Sequence, residues 1–311
     1  MTRDQPVIGV LLMLGFCMMV PMGDALAKLL GEHVDVALLV TVRMAIQAMV
    51  LLPVVAFAGI SLAPAFERLR LITIRAVLHV LGIGLMFLSL RYLPLADAVA
   101  IAFVMPFITL FLGRFVLGED VGRRRMIACC IGFAGTLMVM QPSLAEVGWP
   151  ALLPVAVAID FAFFVLATRQ LAKEVDAVSL QAVSGVIACA LLVPLLAVLA
   201  PNDVPGFALA MPDPVSMWLL AAMGLLGTCA HLMMTWSLRF APSATVAPMQ
   251  YLEIPIAALL GWLIFQDFPN GLALAGILVT IASGLYVIYR EHALSRSARR
   301  LPERGEASES T

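Results

Sequence analysis

The feature that most constrains this chain is a succession of apolar stretches, each long enough to cross a bilayer, running from Pro6 to Arg290 with only short polar breaks between them. A hydrocarbon core about 30 Å thick takes roughly 20 apolar residues as a helix, and without water to satisfy backbone N–H and C=O groups an open chain must span it as helix. Apolar runs at 6–30, 36–60, 71–91, 94–117, 124–141, 148–171, 177–200, 215–239, 242–265 and 269–290 predict ten transmembrane helices, an all-α integral membrane fold. With 62% hydrophobic and 13% charged residues, the chain has more apolar surface than a water-soluble domain can bury. The first run continues to Leu30 without a small-residue cleavage site, so a retained helix is expected rather than a signal peptide. The segment 293–311 is charged and aperiodic and reads as a disordered cytoplasmic tail.

The net charge of −1 gives no reason to expect a nucleic-acid partner; placement is the informative part. Cytoplasmic loops retain Lys and Arg. With the N-terminus inside, fourteen of the 19 basic residues fall on inner segments, among them Arg68, Arg123, Arg169, Lys173 and Arg239. One, Arg91, falls on an outer loop, and four, Lys28, Arg43, Arg75 and Arg114, lie within spans. The expected topology is N-in and C-in in a bacterial inner membrane, which requires an even number of crossings. The five cysteines all sit in apolar runs and form neither a CxxC nor a Cys/His cluster, so they read as packing residues. No metal or cofactor is called for, and without a Walker loop energy does not come from ATP.

An internal repeat divides the chain. A shift of 141 places Lys28 on Arg169, Val34-Asp35 on Val175-Asp176 and Pro53 on Pro194. A shift of 148 places Ser89-Leu90-Arg91-Tyr92 on Ser237-Leu238-Arg239-Phe240, Pro94 on Pro242, Gly113 on Gly261 and Glu119 on Asp267. Apolar identities carry little weight in such a sequence, but Pro, Gly, Asp and Arg coincidences do. Five helices per repeat is an odd number, so the halves, 1–145 and 146–292, are predicted to enter the membrane in opposite senses. Inverted repeats of this kind are common in secondary transporters, with the solute site near midplane between the halves.

Several stretches resemble the drug/metabolite transporter superfamily, specifically its EamA type. They are Gly23-Asp24-Ala25-Leu26-Ala27-Lys28, Arg91-Tyr92-Leu93-Pro94-Leu95-Ala96-Asp97-Ala98, Pro106 and Gly118-Glu119, and in the second repeat Ala241-Pro242-Ser243-Ala244, Tyr251-Leu252-Glu253, Gly261, Asp267-Phe268-Pro269 and Ser283-Gly284-Leu285-Tyr286. The resemblance covers the chain to about residue 292 and implies ten helices in two repeats and transport of a small metabolite, such as an amino acid, riboflavin or S-adenosylmethionine. It does not name the cargo.

Ionisable groups within spans are expensive and usually face a cavity or the bundle interior. Counted along their helices, Asp160 and Glu253 fall nearest midplane. Glu253 reads either as a proton-coupling carboxylate or amine ligand, or as a hydrogen-bonded strut. Asp24 shares a helix face with Lys28, allowing an intrahelical pair, and lies at the depth of Arg43, allowing an interhelical one; contact of all three with solute is the functional alternative. Arg75 near the inner face and Arg114 are expected to snorkel to the headgroups. His79 reads as a solute hydrogen-bonder or a core residue, and His231 as a lone histidine without metal partners. Asp97 and Tyr251 complete the candidates, although Tyr251 should point away from Glu253. Pro21, Pro106, Pro248 and Pro255 interrupt their helices, as kinks or as hinges.

The reading is a secondary transporter working by alternating access, its partners a small-molecule solute and lipid, as a monomer or homodimer. An integral membrane enzyme acting on a lipid or isoprenoid substrate is the alternative; it would gather Asp, His or Arg at one membrane face, whereas here they are scattered.

Overall fold

The computed structural model describes residues 6–105, 107–108, 123–202, 204–209, 212–241, 249–286 and 289. Among them every regular element is helical: α1 (Pro6–Leu30), α2 (Val36–Phe57), α3 (Ala63–Glu67), α4 (Leu69–Leu90), α5 (Leu95–Ala102), α6 (Arg123–Val147), α7 (Leu153–Leu171, entered through a 3₁₀ turn at Trp149–Leu152), α8 (Ala177–Leu199), α9 (Pro214–Phe240), α10 (Glu253–Phe265) and α11 (Gly271–Tyr286). Seven of these, α1, α2, α4, α6, α7, α8 and α9, are long and apolar enough to cross a membrane, while α10 and α11 are shorter apolar helices. Arg114, Glu119, Pro106, Pro248 and the 293–311 tail lie outside the described residues.

Two predicted spans differ from continuous helices. The fourth leaves helical geometry at Phe103-Val104 and the ninth turns at Tyr251-Leu252 before α10. Proline lacks the N–H for the i−4 carbonyl and its ring crowds that carbonyl. Pro106 and Pro255 stand four residues after Ala102 and Tyr251, so each break falls where the sequence removes a backbone bond. The polar break expected at 61–70 also contains a helix, α3, started by Pro64.

Aspartate N-caps fix the entries of two long helices. Asp176 accepts from the N–H of Val178 at 2.8 Å at the start of α8, and Asp213 accepts from that of Ser216 at 2.6 Å at the start of α9. These bonds satisfy amide groups that a first helical turn leaves open. Asp35 holds the corresponding position at α2 but is used differently: its Oδ2 accepts from the N–H of Ala208 at 2.8 Å and its Oδ1 pairs with Arg91 at 3.2 Å.

Packing joins the first half of the chain to the second throughout. α1 lies against α9, α4 against α7, α2 against α8 and α5 against α10. The burial pattern is that of a lipid-embedded bundle: Phe57, Trp218 and Val7 are exposed, while Gln47, Gln181, Thr235 and Ser237 are buried. Gln47 Nε2 donates to the Gln181 carbonyl at 2.8 Å, and Gln181 Nε2 donates to the His231 carbonyl at 3.0 Å and Thr235 Oγ1 at 3.1 Å, tying α2, α8 and α9 together. Such ties matter where lipid offers no alternative partner. Small residues set the closest approach: a Cβ on Gly276 would stand 2.5 Å from the Gly135 carbonyl oxygen, so α6 and α11 meet backbone to backbone. Ser283 adds a hydrogen bond to the Ala128 carbonyl across the same seam.

Gly276→Leu is therefore expected to lower the thermal midpoint of the detergent-solubilised protein, overpacking costing about 1–3 kcal/mol. Gly271→Ala, whose added Cβ meets nothing within 4 Å, is expected to leave it unchanged.

Candidate functional site

Between the helices lies a cavity of about 130 Å³ with a mainly apolar wall and a few ionisable groups. α1 contributes Phe16 and Asp24, α2 Arg43, α4 His79, and α7 Asp160 and Phe164. His231 of α9, Gln250 and Glu253 come from the second half of the chain. Glycines shape the wall. A Cβ on Gly227 would stand 2.5 Å from Arg43 Nε, so the bare backbone of α9 is what lets the guanidinium lie across it. A Cβ on Gly82 would stand 2.4 Å from Asp160 Oδ2, so Asp160 rests on α4 in the same manner.

Five sequence candidates, Asp24, Arg43, His79, Asp160 and Glu253, thus share one cavity. The other three lie outside its wall. Lys28 does not pair with Asp24: its Nζ is 3.2 Å from Asp267 Oδ2 and 3.0 Å from the Leu93 carbonyl, and it stands 4.9 Å from the centre of the Phe265 ring. The helical spacing allowed a pair, but a partner 239 residues away at the end of α10 draws the side chain along the helix axis instead. Asp97 accepts from Ser143 Oγ at 3.1 Å, joining α5 to α6. Tyr251 packs against Phe103, ring centres 5.4 Å apart, and fills the space over Gly284, where a Cβ would stand 1.9 Å from its ring.

No ion pair within 4.0 Å joins Asp24 to Arg43, or engages Asp160 or Glu253, among the described residues. Arg43 instead places Nη2 3.2 Å from His231 Nδ1. Arg75 corrects the expectation of snorkelling. It is wholly buried, donating to Thr168 Oγ1 at 2.8 Å and Ser184 Oγ at 2.9 Å with its guanidinium 4.6 Å over the Phe164 ring. Counting residues from a helix end gave its depth, but not that its helix face turns inward toward α7 and α8. A single histidine in an apolar run carries no partner signal in the sequence; the fold brings His231 to 4.3 Å from His79. Among the described residues no group of three His, Cys, Asp or Glu side chains is arranged to hold a metal.

The described helices thus form a multi-pass membrane bundle around a cavity to which both halves of the chain bring ionisable groups, an arrangement that suits a carrier of small solutes. The chain belongs to the EamA-like transporter family, which matches it at residues 7–141 and again at 148–290. It is 31% identical over 217 residues to a riboflavin transporter of Rhizobium johnstonii, covering 70% of this chain and 69% of that protein. It is 25% identical over 275 residues to an S-adenosylmethionine uptake transporter of Rickettsia bellii, covering 86% and 89%. It is also 25% identical to a pseudopaline exporter of Pseudomonas aeruginosa, covering 89% and 92%. A solved crystal structure 17% identical in sequence aligns over 96% of this chain and 99% of its own with a TM-score of 0.62, which shows a shared fold. The protein is a small-metabolite transporter.

Gly227→Val is expected to displace Arg43 from α9 and cut the initial transport rate at least about tenfold, since small misplacements in a binding site are costly. Protein yield and monodispersity on size exclusion should hold, because the neighbour forced to move is a side chain end.

Proposed function

We propose that this transporter carries a small polar metabolite, such as an amino acid, riboflavin or S-adenosylmethionine, by secondary transport across a bacterial inner membrane, with both termini inside. It works by alternating access between two inverted five-helix halves, residues 1–145 and 146–292, with the central cavity as the solute site. The observation that carries this reading is that Asp24, Arg43, Asp160 and Glu253 meet in one cavity without pairing to one another. Asp24, Arg43 and Glu253 are buried and Asp160 partly so, and charges that a stable core would neutralise are left for a ligand or a proton.

Several facts support the inverted arrangement. Asp35 and Asp176 are repeat equivalents, as are Arg91 and Arg239, and each Arg pairs with the Asp of its own half, at 3.2 Å and 3.7 Å. The breaks at 103–104 and 251–252 are also one repeat apart, and their residues Phe103 and Tyr251 touch. The contact of α1 with α9 has its equivalent in that of α7 with α4. In this scheme the Lys28–Asp267 pair, which bridges the halves, closes the cavity on one side.

Glu253, whose side chain faces the cavity from the first turn of α10, is the group we assign to proton coupling. In proteoliposomes under an imposed pH gradient, a solute from the panel of amino acids, riboflavin and S-adenosylmethionine should accumulate, and Glu253→Gln should abolish the acceleration by the gradient. A variant whose transport keeps its full pH dependence rules the coupling role out, and failure of every solute to accumulate or exchange rules out the transport reading.

Topology has its own check. In a cysteine-free background, Tyr92→Cys should react with an impermeant thiol reagent added to intact cells, and Lys173→Cys only after permeabilisation; the reverse pattern contradicts the N-in orientation.

A further inference from the structure

One wall of the cavity carries Arg43, His79 and His231, with Arg75 behind them, and no carboxylate among the described residues stands within ion-pair distance of either arginine. Arg43 and His231 are joined at 3.2 Å, His231 and His79 lie 4.3 Å apart, His79 stacks on Phe164 at 4.8 Å, and Arg75 covers that same ring at 4.6 Å. All four basic side chains are buried, at 5% exposure for Arg43, 7% for His231, 4% for His79 and 0% for Arg75. Among the described residues, Arg43 Nη1, Arg75 Nη2 and both ring nitrogens of His79 have no hydrogen-bond partner. Guanidinium groups stay protonated in proteins, so two buried positive charges stand here without a carboxylate within 4.0 Å among the described residues. Donors left open in a low-dielectric interior cost free energy that a native protein offsets elsewhere or recovers from a ligand.

Resting on the transport reading above, we propose that Arg43, His79 and His231 form an anion subsite, which receives a carboxylate or phosphate group of the solute. Arg75 lies behind it as a second positive charge. The chemistry of the donors fits this. Arg43 keeps Nη1 open beside the Nη2 that meets His231, His79 keeps both ring nitrogens open, and all three residues line the same cavity, so a charged acceptor can be held there by charge-assisted hydrogen bonds. Asp24, Asp160 and Glu253 line the cavity alongside, which makes the whole site dipolar. The solute class that satisfies both sets is a molecule carrying an anionic group together with a cationic or hydrogen-donating one, with an apolar or aromatic body against Phe16 and Phe164. Arg43 is held on the bare backbone of Gly227 and so is preorganised, while Thr168 and Ser184 hold Arg75.

Two probe pairs differ only in the anion: S-adenosylmethionine against its decarboxylated form, and riboflavin 5′-phosphate against riboflavin. Competition by each is measured against uptake of whichever solute the proteoliposome screen identifies, in parallel with thermal stabilisation of the purified full chain. The anion-bearing member of at least one pair should act at a concentration about tenfold or more lower than its partner, as expected for a hydrogen bond to a charged group. Arg43→Gln and His79→Leu should each remove that difference, leaving the anion-free member within about threefold, and Arg43→Lys should restore part of it. Variants are compared only as monodisperse protein, and either one suffices. Equal potency within both pairs, a loss in the variants that falls on both members alike, or uptake confined to solutes without an anionic group overturns the anion subsite while transport stands. Failure of every solute to move overturns the transport reading, and the subsite with it.

Discussion

Everything in this fold depends on the absence of water from the bilayer core. Backbone groups must pair within their own helix, and any ionisable side chain that enters must be turned away from lipid. The chain meets the first demand with helices packed half against half, and the second by gathering Asp24, Arg43, Arg75, His79, Asp160, His231 and Glu253 into the bundle interior while exposing Phe57, Trp218 and Val7. A core built for stability alone would pair these charges or dispense with them, since hydrophobic replacements of buried ion pairs are often neutral or stabilising. That Asp24, Arg43, Asp160 and Glu253 line one cavity with no ion pair among them is the physical reason to read it as a working site.

Glycine and proline give the cavity its form. Gly227 and Gly82 allow Arg43 and Asp160 to lie directly on helix backbones, trading side-chain volume for position. Pro106 and Pro255 follow the breaks at Phe103-Val104 and Tyr251-Leu252, where the two interrupted spans touch through Phe103 and Tyr251. At the ends of the bundle, short charged pairs join neighbouring segments: Lys28 with Asp267, Arg91 with Asp35, and Arg239 with Asp176. The Arg68–Glu174 pair, half exposed on both sides, contributes little to stability.

Much of this was legible in the residues. Hydropathy placed the long helices because length and apolarity are set by the bilayer and not by tertiary detail. Cost arguments brought Asp24, Arg43, His79, Asp160 and Glu253 forward, and all five line the cavity. What spacing along one helix could not supply was the partner across the bundle. Lys28 sits one turn from Asp24 but reaches Asp267, and Arg75 is drawn inward by Thr168, Ser184 and Phe164, not outward to headgroups. His231 carries no local signal in the sequence, and its place in the cavity wall beside Arg43 and His79 emerges only from the fold.

The central claim is that this cavity is the solute's path, and a single cysteine at Gly23 tests it most directly. Gly23 lines the cavity, and a Cβ there meets nothing within 4 Å. With the native cysteines removed, Gly23→Cys should react with a water-soluble thiol reagent, and the transported solute should slow that reaction in proportion to its occupancy. A thiol that is unreactive from both sides of the membrane, or that reacts at the same rate with saturating solute, would contradict the account.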